Sequence, residues 1–273
     1  MRFQLFYEVD SFLHRVNPLT KLVFAVVVMV ILTLIVDPLT PLAIALLGLS
    51  AIVLLGHVPL GQAARTLRPF LAVSFGLFWT TALFYASDPA YSPRPFAQWG
   101  PVVLTEDGAA YGAAIMFRIL AIFTISLLFT LTTDPTSLLQ ALVQQARLSP
   151  RFGYGIIAAY RFVPLFDSEL ASIRAAHRVR GVASGGGPAS QYRRLVGHMV
   201  PLLAGAIRHA ERVALAMDAR GFSASSKRTY YWQSAFGWRD VLFAAGAGAI
   251  LATLLVGFHT AGWLGESIPP FLK

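Results

Sequence analysis

The chain contains no cysteine, and charged residues make up only 13% of its 273 positions. The absence of cysteine excludes disulfides, thiolate nucleophiles and cysteine-based metal sites. Its six histidines never occur with HxxxH or HExxH spacing, which argues against a zinc site. The sequence also lacks a Gly-x-Ser-x-Gly elbow, an Asp-rich metal motif and a Walker motif, so it indicates no catalytic centre and no ATPase of its own.

Apolar residues make up 56% of the chain, and its mean hydropathy is +0.63. This composition is typical of an integral membrane protein. Five runs with little or no charge approach the length that a helix needs to cross about 30 Å of hydrocarbon. These runs are residues 22–36, 38–56, 69–87, 108–133 and 241–265. We therefore predict an all-α integral membrane protein with about five transmembrane helices.

Two features of these runs leave alternatives open. The first two runs are joined by a very tight turn at residues 37–41, so they either both cross the bilayer or form a shallow hairpin. Arg118 interrupts the fourth run, and a charge within a membrane span needs a partner or a polar pocket. Alternatively that span begins near Ile119, which would leave the arginine at the interface.

The distribution of positive charge predicts the orientation. With the N-terminus inside, 19 of the 22 Lys and Arg residues fall on the inner side, and only Arg94 and Lys273 fall outside. The net charge of +9 therefore indicates topology and not nucleic-acid binding. We predict a multi-pass membrane protein with a cytoplasmic N-terminus and an external C-terminus.

The chain divides into three regions on this interpretation. Residues 1–133 hold an amphipathic N-terminal segment and the first four membrane segments, and residues 240–273 hold the last one. Residues 134–239 form a long inner segment with helical signals over 137–147, 150–162, 164–180 and 201–220. The Gly-rich stretch 182–190 is typical of a flexible linker. Pro164 either starts a helix or kinks a longer one.

A short theme occurs twice in the inner segment. One helix is predicted to run from Pro164 to Arg180-Gly181 and another from Pro201 to Arg220-Gly221, with proline in the first turn and glycine as the cap. Apolar or weakly polar residues precede each arginine by three, seven and ten positions, so each arginine ends the least polar stripe of its helix. These residues are His177, Ile173 and Leu170 before Arg180, and Met217, Val213 and Ala210 before Arg220. Arg-Gly is also an ordinary helix end, but two copies in one register indicate a docking surface for an acidic, partly apolar groove.

With these features placed, the sequence resembles the transmembrane T component of energy-coupling factor (ECF) transporters, a family that includes cobalt and biotin transporter permeases. Val179-Arg180-Gly181 and Ala219-Arg220-Gly221 are similar to its paired Ala-Arg-Gly coupling motifs, with Val179 in place of the usual alanine. The N-terminal residues Asp10, Ser11, His14, Pro18 and Lys21 are similar to its opening motif. The resemblance covers nearly the whole chain.

The resemblance implies a non-catalytic coupling subunit of an importer in a prokaryotic cell (inner) membrane. Two ABC-type ATPase subunits would bind ATP and Mg, and long crossing cytoplasmic helices between the last two spans would place Arg180 and Arg220 in one acidic ATPase groove each. A small membrane protein, the S component, would bind a vitamin or a transition metal. This chain would hold no cofactor and bind no nucleic acid. The substrate, and whether the S component is dedicated or shared, stay open.

Two other functions compete with this interpretation. A membrane-bound enzyme acting on a lipid-linked substrate would use the basic inner segment to grip phosphates, although the sequence lacks an acidic metal motif. A conventional ABC permease would contain its own substrate path.

Overall fold

The computed structural model describes Val9 and residues 11–84, 95–99, 102–181, 187–222, 230–231 and 233–260. Within these ranges the chain forms nine helices and two short strands. The helices are α1 (Phe12–Arg15), α2 (Pro18–Leu34), α3 (Leu39–Leu54), α4 (Leu60–Phe84), α5 (Glu106–Thr132), α6 (Pro135–Gln144), α7 (Pro150–Val179), α8 (Pro188–Ala219) and α9 (Trp238–Thr260). The strands are β1 (Pro95–Trp99) and β2 (Val102–Thr105).

The chain folds as two compact units. The membrane unit consists of Met1–Ala141 and Ser234–Lys273. The hairpin unit consists of Leu142–Gln233 and contains the long helices α7 and α8.

Each of the five predicted apolar runs falls on one helix of the membrane unit. Helices α4, α5 and α9 have the length and composition to cross a membrane, with 25, 27 and 23 residues. Helices α2 and α3 are apolar but shorter, with 17 and 16 residues. The helical membrane fold is thus confirmed, and the two helices that the tight turn connects are shorter than the other three. The last five residues of the predicted run 241–265 lie outside the described residues.

Helix α4 begins at Leu60, nine residues before the predicted start at Pro69. Proline in a helix interior removes one backbone hydrogen bond and bends the helix without always ending it. Here the preceding turns contain strong helix formers such as Ala63, Ala64 and Leu67, so the helix continues through the proline.

Helix α5 is the centre of the membrane unit. Its residues Ala121 and Ile125 pack with α2 and α3, and its residues Leu127 and Leu131 pack with the end of α3 and the start of α4. Gly112 brings α5 close to α4, because a Cβ at this position would lie 2.9 Å from the Phe78 carbonyl oxygen. Small residues allow such close approach of helices in membranes, where dispersion forces replace the hydrophobic effect.

Arg118 lies at the tip of the α2–α3 hairpin. Its guanidinium donates to the backbone carbonyl oxygen of Ile35, the residue that ends α2. Helix α5 runs unbroken from Glu106 to Thr132 with Arg118 near its middle, and the alternative in which the membrane span begins near Ile119 stays a prediction. The arginine has a partner within the membrane unit, and a cation at a helix C-terminus also interacts favourably with the helix dipole.

The same contact indicates how deep the α2–α3 hairpin reaches. At the other end of α2, the Lys21 ammonium donates to the carbonyl oxygen of Thr132, fourteen residues after Arg118. Fourteen helical residues span about 21 Å. Beyond Arg118, α5 continues for twelve more residues to Glu106, or about another 18 Å. The geometry therefore favours the shallow-hairpin alternative.

Strands β1 and β2 form an antiparallel pair between α4 and α5, a small departure from the predicted all-α fold. The pair leads into α5, where the Thr105 hydroxyl accepts a hydrogen bond of 3.1 Å from the Gly108 amide. Glu106 and Asp107 in the first turn also favour a helix start here.

Helices α7 and α8 are longer than predicted. Both continue through their internal prolines, Pro164 and Pro201, so the predicted helix starts at these residues are wrong, and the alternative of a longer helix through Pro164 is confirmed. Pro188 begins α8, so residues 188–190 of the predicted linker are helical, while residues 182–186 lie outside the described part.

The two long helices run antiparallel. Tyr154 of α7 meets Phe222 just beyond α8, with ring centroids 5.5 Å apart. Further along α7, Phe162 lies against His209 at 5.7 Å and His177 against His198 at 5.0 Å. Along this series of contacts the residue numbers rise on α7 and fall on the α8 side. The two helices therefore form an antiparallel helical hairpin.

Candidate functional site

Both Arg-Gly pairs form helix C-terminal caps. Arg220 ends α8, Gly221 has a φ of +70°, and its amide donates to the Asp218 carbonyl oxygen at 2.9 Å. The next amide, of Phe222, donates to the Met217 carbonyl oxygen at 3.0 Å, which completes a Schellman motif.

The end of α7 has the same glycine conformation and the same hydrogen bond from the glycine amide. Arg180 follows the helix, Gly181 has a φ of +68°, and its amide donates to the Arg178 carbonyl oxygen at 3.1 Å. Among the described glycines only Gly181 and Gly221 have a positive φ. The predicted glycine caps are therefore confirmed at both positions.

The two caps protrude from their helices. Val179 is 90% exposed, and Arg180 and Arg220 are exposed too. A Cβ added to either cap glycine would meet no atom within 4 Å. Each arginine is thus presented at a helix end with space around the turn that follows it.

The antiparallel arrangement places the two arginines at opposite ends of the hairpin. Arg180 lies three residues beyond His177, which contacts His198. From His198 to Arg220 the chain runs 22 residues along α8, or about 33 Å at the rise of an α-helix. The two arginine sites are therefore far enough apart for two separate partner surfaces.

The stripes that precede the arginines are partly covered by the chain itself. On α7, Leu170, Ile173 and His177 are half-buried, and the His177 ring lies against His198 of α8. On α8, Val213 and Met217 are half-buried and Ala210 is exposed. The exposed part of each predicted docking surface is thus confined mainly to the helix end.

The two ends differ in charge. Around Arg180, α7 carries no acidic residue after Glu169, and α8 carries none before Glu211. Four further arginines lie in these parts close to the turn, namely Arg174, Arg178, Arg193 and Arg194. At the other end, Asp218 lies two residues before Arg220. The start of α7, with Arg151, lies at this same end, because Tyr154 contacts Phe222. Among the described residues, the Arg220 end thus combines both charge signs, whereas the Arg180 end carries positive charges alone.

This positive environment influences a histidine. Desolvation lowers the pKa of His198 first, and the nearby charges of His177, Arg174 and Arg194 lower it further. The neutral imidazole is therefore favoured where α7 and α8 meet near Arg180.

The predicted N-terminal motif forms a second cluster, in the membrane unit. We call residues 11–21 the N-terminal elbow: they comprise α1 and the start of α2. Ser11 and His14 share a hydrogen bond of 2.7 Å, and Pro18 occupies the first turn of α2. Asp10 lies outside the described residues.

Lys21 is almost completely buried, with only 2% of its surface exposed. Its ammonium donates to the carbonyl oxygens of Leu13 at 3.0 Å and Thr132 at 2.7 Å. The Asp240 carboxylate is close enough to attract it. The sequence analysis did not identify Thr132 or Asp240 as part of this cluster. For Asp240 there was one signal, because it is an acidic residue in the first turn of the last span.

These observations define the class of protein. Apolar helices of membrane-spanning length, packed around α5, make it a multi-pass α-helical membrane protein. A separate unit of two long antiparallel helices presents exposed arginines at both ends.

Comparison with known proteins identifies the family. The family model described as "Cobalt transport protein" matches residues 10–231. The chain is 32% identical over 266 residues to the energy-coupling factor transporter transmembrane protein EcfT of Limosilactobacillus fermentum, covering 93% of this chain and 95% of the relative. The EcfT proteins of Streptococcus thermophilus and Brevibacillus brevis are 29% and 30% identical, each over more than nine-tenths of both chains. The chain therefore belongs to this family, as the transmembrane T component of an ECF transporter.

Proposed function

We propose that this protein is the coupling subunit of an ECF-type importer, and that it binds two ABC-type ATPase subunits through its two Arg-Gly helix ends. The observation that carries the proposal is the pair of matching caps, each with an exposed arginine and a left-handed glycine, at opposite ends of one helical hairpin. ATP and Mg would be bound by the ATPase subunits.

The chemistry of the helix ends suits such docking. An arginine that enters a partner groove can form two charge-assisted hydrogen bonds to one carboxylate. Truncating one member of a desolvated pair of this kind costs about 2–5 kcal/mol. Gly181 and Gly221 reverse the chain without a Cβ, so the backbone after each arginine leaves the partner surface free.

The hairpin is also suited to transmit movement. Helices α7 and α8 have 30 and 32 residues, or about 45–48 Å each. They contact each other at several levels, from Tyr154 near the start of α7 to His177 near its end. A displacement of either helix end by an ATPase would therefore move a paired structure and not a single helix.

We further infer that an S component packs against the membrane unit and supplies the substrate specificity. Gly246 and Gly248 of α9 have open space where a Cβ would lie, so another helix could approach closely. Gly246 also lines an apolar cavity of about 440 Å³, together with Ala51, Ala247 and Ile250. The transported substrate would be a vitamin or a transition metal ion, held by the S component.

This function requires a defined orientation. The hairpin unit and the N-terminus would face the cytoplasm, where ATP is available, and the C-terminus would lie outside. The distribution of positive charge supports this orientation, because 19 of the 22 Lys and Arg residues are then on the inner side.

Charge reversal tests the proposal. In Arg180→Glu, Arg220→Glu and the double variant, a carboxylate replaces the guanidinium and repels an acidic groove. We expect each variant to lose uptake and to retain less ATPase during purification through a tag on this chain, with the double variant no milder than either single one. Arg208→Glu is the matched control, because Arg208 is an exposed arginine in the interior of α8.

The outcome distinguishes docking from a simple charge effect. Normal ATPase retention and uptake by the double variant would contradict the proposal. An equal loss in Arg208→Glu would show that the total charge of the hairpin unit matters and not the helix ends.

A further inference from the structure

The hairpin unit is connected to the membrane unit through two points of the chain. The unit boundaries lie between Ala141 and Leu142 and between Gln233 and Ser234. The last membrane-spanning helix before the hairpin unit, α5, ends at Thr132, and the first one after it, α9, begins at Trp238. We call Thr132 the departure point and residues 237–240 the return point. Both belong to the membrane unit.

The N-terminal elbow contacts both points. Lys21 donates to the carbonyl oxygen of Thr132 at 2.7 Å, at the departure point. The Asn17 amide donates to Asp240 Oδ1 at 2.6 Å, at the return point. The other carboxylate oxygen of Asp240 accepts from the Gly237 amide at 2.7 Å, which fixes the turn that leads into α9.

The polar contacts are buried and lie on an apolar base. Lys21 and Asp240 are 2% and 6% exposed, and Asn17 is buried as well. Leu13 of the elbow packs with Phe243 of α9 in one small core. Phe243 also meets Phe24 of α2 edge to face, with ring centroids 5.4 Å apart. Because water is excluded, the contacts between these charged and polar groups are stronger than they would be on the surface.

We propose that the N-terminal elbow is a positioning element that ties the departure point to the return point, with Lys21 and Asp240 as its key residues. This inference rests on the proposed function, in which the connection between the two points would transmit movement. A displacement of the hairpin unit would be passed to α5 and α9 together. Without the tie, each helix would respond separately, and part of the movement would be absorbed at the junctions.

The absence of cysteine makes the tie directly measurable. Spin labels can be attached to Thr130→Cys, on an exposed face near the end of α5, and to Val241→Cys, on an exposed face at the start of α9. The distance distribution between the labels is measured by pulsed electron paramagnetic resonance in nanodiscs. It is recorded for this chain alone and for its complex with the ATPase and S subunits, without nucleotide and trapped with ATP and vanadate.

Three backgrounds are compared. Lys21→Met removes the ammonium and keeps a long apolar side chain, whereas the double variant Lys21→Met/Asp240→Asn also removes the buried carboxylate charge that would otherwise lack its cation. Thr132→Val is the matched control. It removes only the hydroxyl, which lies 3.5 Å from the Lys21 ammonium, and it leaves the carbonyl acceptor at 2.7 Å in place.

We expect a narrow distribution in the parent and in Thr132→Val, and a broadened one in both Lys21 variants. In the complex, both Lys21 variants should still bind the ATPases and hydrolyse ATP, but lose the nucleotide-dependent shift shown by the parent. An unchanged distribution in the double variant would overturn the tie. So would a complex of either Lys21 variant that keeps the full shift.

The two proposals fail in different ways. If the parent binds no ATPase, the proposed function fails, while the distributions of the chain alone still decide whether the tie exists. If the parent binds the ATPases and the Lys21 variants match it in every distribution, only the tie fails.

Discussion

The amide of Phe222 donates to the carbonyl oxygen of Met217 at 3.0 Å, and Gly221 between them has a φ of +70°. This turn fixes where α8 ends and therefore where Arg220 is presented. A left-handed conformation costs a residue with a Cβ about 1–2 kcal/mol, and more for a β-branched residue. The cap glycines are therefore as important for the site as the arginines.

We expect Gly181→Val and Gly221→Val each to fray the last helical turn and to reduce ATPase retention, although the arginines are unchanged. Affinity purification through a tag on this chain, with quantification of the bound ATPase, measures the effect. Gly155→Ala in α7 is the control, because its φ is not positive and a Cβ there would meet nothing within 4 Å. Full retention by both valine variants would show that the left-handed turn is dispensable.

The contact between α4 and α5 leads to a second prediction. A Cβ at Gly112 would lie 2.9 Å from the Phe78 carbonyl oxygen and 3.3 Å from the Ala82 Cβ. Backbone cannot rotate away as a side chain can, so the two helices would have to separate. We expect Gly112→Val to destabilise the membrane unit by about 1–3 kcal/mol, as overpacking does in other tightly packed cores.

Thermal unfolding in detergent checks this expectation. Gly76→Ala on α4 is the comparison, since a Cβ there would meet no atom within 4 Å. It should be neutral or slightly stabilising, because alanine favours helix more than glycine. If the unfolding temperature of Gly112→Val equals that of the parent, the helices are not held in contact at this point.

How much of this site could be predicted from the sequence depends on how local the interactions are. The glycine caps at Gly181 and Gly221 follow from a local rule and were predicted correctly. The predicted helix starts at Pro164 and Pro201 are wrong, because both prolines lie within helices, and only for Pro164 did the sequence analysis give this alternative. The residues next to a proline do not show whether the proline lies in the first turn of a helix or in the kinked interior of a longer one. Contacts over the whole length of the hairpin, such as Phe162 with His209, stabilise the continuous form.

The contacts of the N-terminal elbow could not be predicted in this way. The bond between Asn17 and Asp240 joins residues 223 positions apart, and the bond between Lys21 and Thr132 joins residues 111 positions apart. A motif such as Pro18 to Lys21 indicates that something is fixed there, but not what it binds. That information requires the order in which the helices pack.

The difference in charge between the two helix ends predicts a difference in salt dependence. Four arginines besides Arg180 and no acidic residue lie near the Arg180 end in the described part of α7 and α8. At the Arg220 end, Asp218 partly offsets the charges of Arg220 and Arg151. Between about 0.1 M and about 1 M salt the Debye length falls from about 10 Å to about 3 Å, which screens exposed charges. We expect docking through the Arg180 end to weaken more over this range.

Single variants separate the two ends. Arg220→Ala leaves docking mainly to the Arg180 end, and Arg180→Ala leaves it mainly to the Arg220 end. ATPase retention should fall more steeply with salt in Arg220→Ala than in Arg180→Ala. Equal slopes would contradict an electrostatic difference between the two sites.

The pair His177 and His198 predicts a pH dependence at the same end of the hairpin. Desolvation and the nearby positive charges lower the pKa of His198 below its ordinary value of 6.5. As the pH falls, the imidazole of His198 is therefore protonated in the unfolded state before it is protonated in the folded state. The neutral His198 side chain therefore makes its full contribution to the free energy of unfolding above pH 6.5. This contribution is lost as the pH falls through the lower pKa of His198 in the folded state.

We expect amide hydrogen exchange near His177 and His198 to become faster on acidification, after correction for the intrinsic rates. The region around Tyr154 and Phe222, at the other end of the hairpin, is the internal reference, because residues 150–162 and 213–222 contain no histidine. In His198→Gln the additional loss of protection at low pH should be smaller. A pH response equal to that of the parent would exclude His198 as its source.

Arg118 provides a test of the α2–α3 hairpin. Its guanidinium donates to the Ile35 carbonyl oxygen, and Asp37 beyond it is buried and accepts a bond of 2.7 Å from the Thr40 amide at the start of α3. In Arg118→Leu the end of α2 would lose its donor within the membrane unit. An unsatisfied buried polar group costs about 1–3 kcal/mol.

We expect Arg118→Leu to lower the unfolding temperature and to increase proteolysis at the turn between α2 and α3, whereas Arg118→Lys, which keeps a donor and the charge, should lie between it and the parent. The comparison separates two explanations of a membrane-embedded arginine. If its task were to reach the interface, leucine would suit the apolar surroundings of α5 and stabilise the protein, since a charge within the bilayer is costly. If its task is to hold the tip of a hairpin that ends about 18 Å short of the start of α5, leucine must destabilise it. A more stable Arg118→Leu variant would thus contradict the shallow hairpin as well as the bond that defines it.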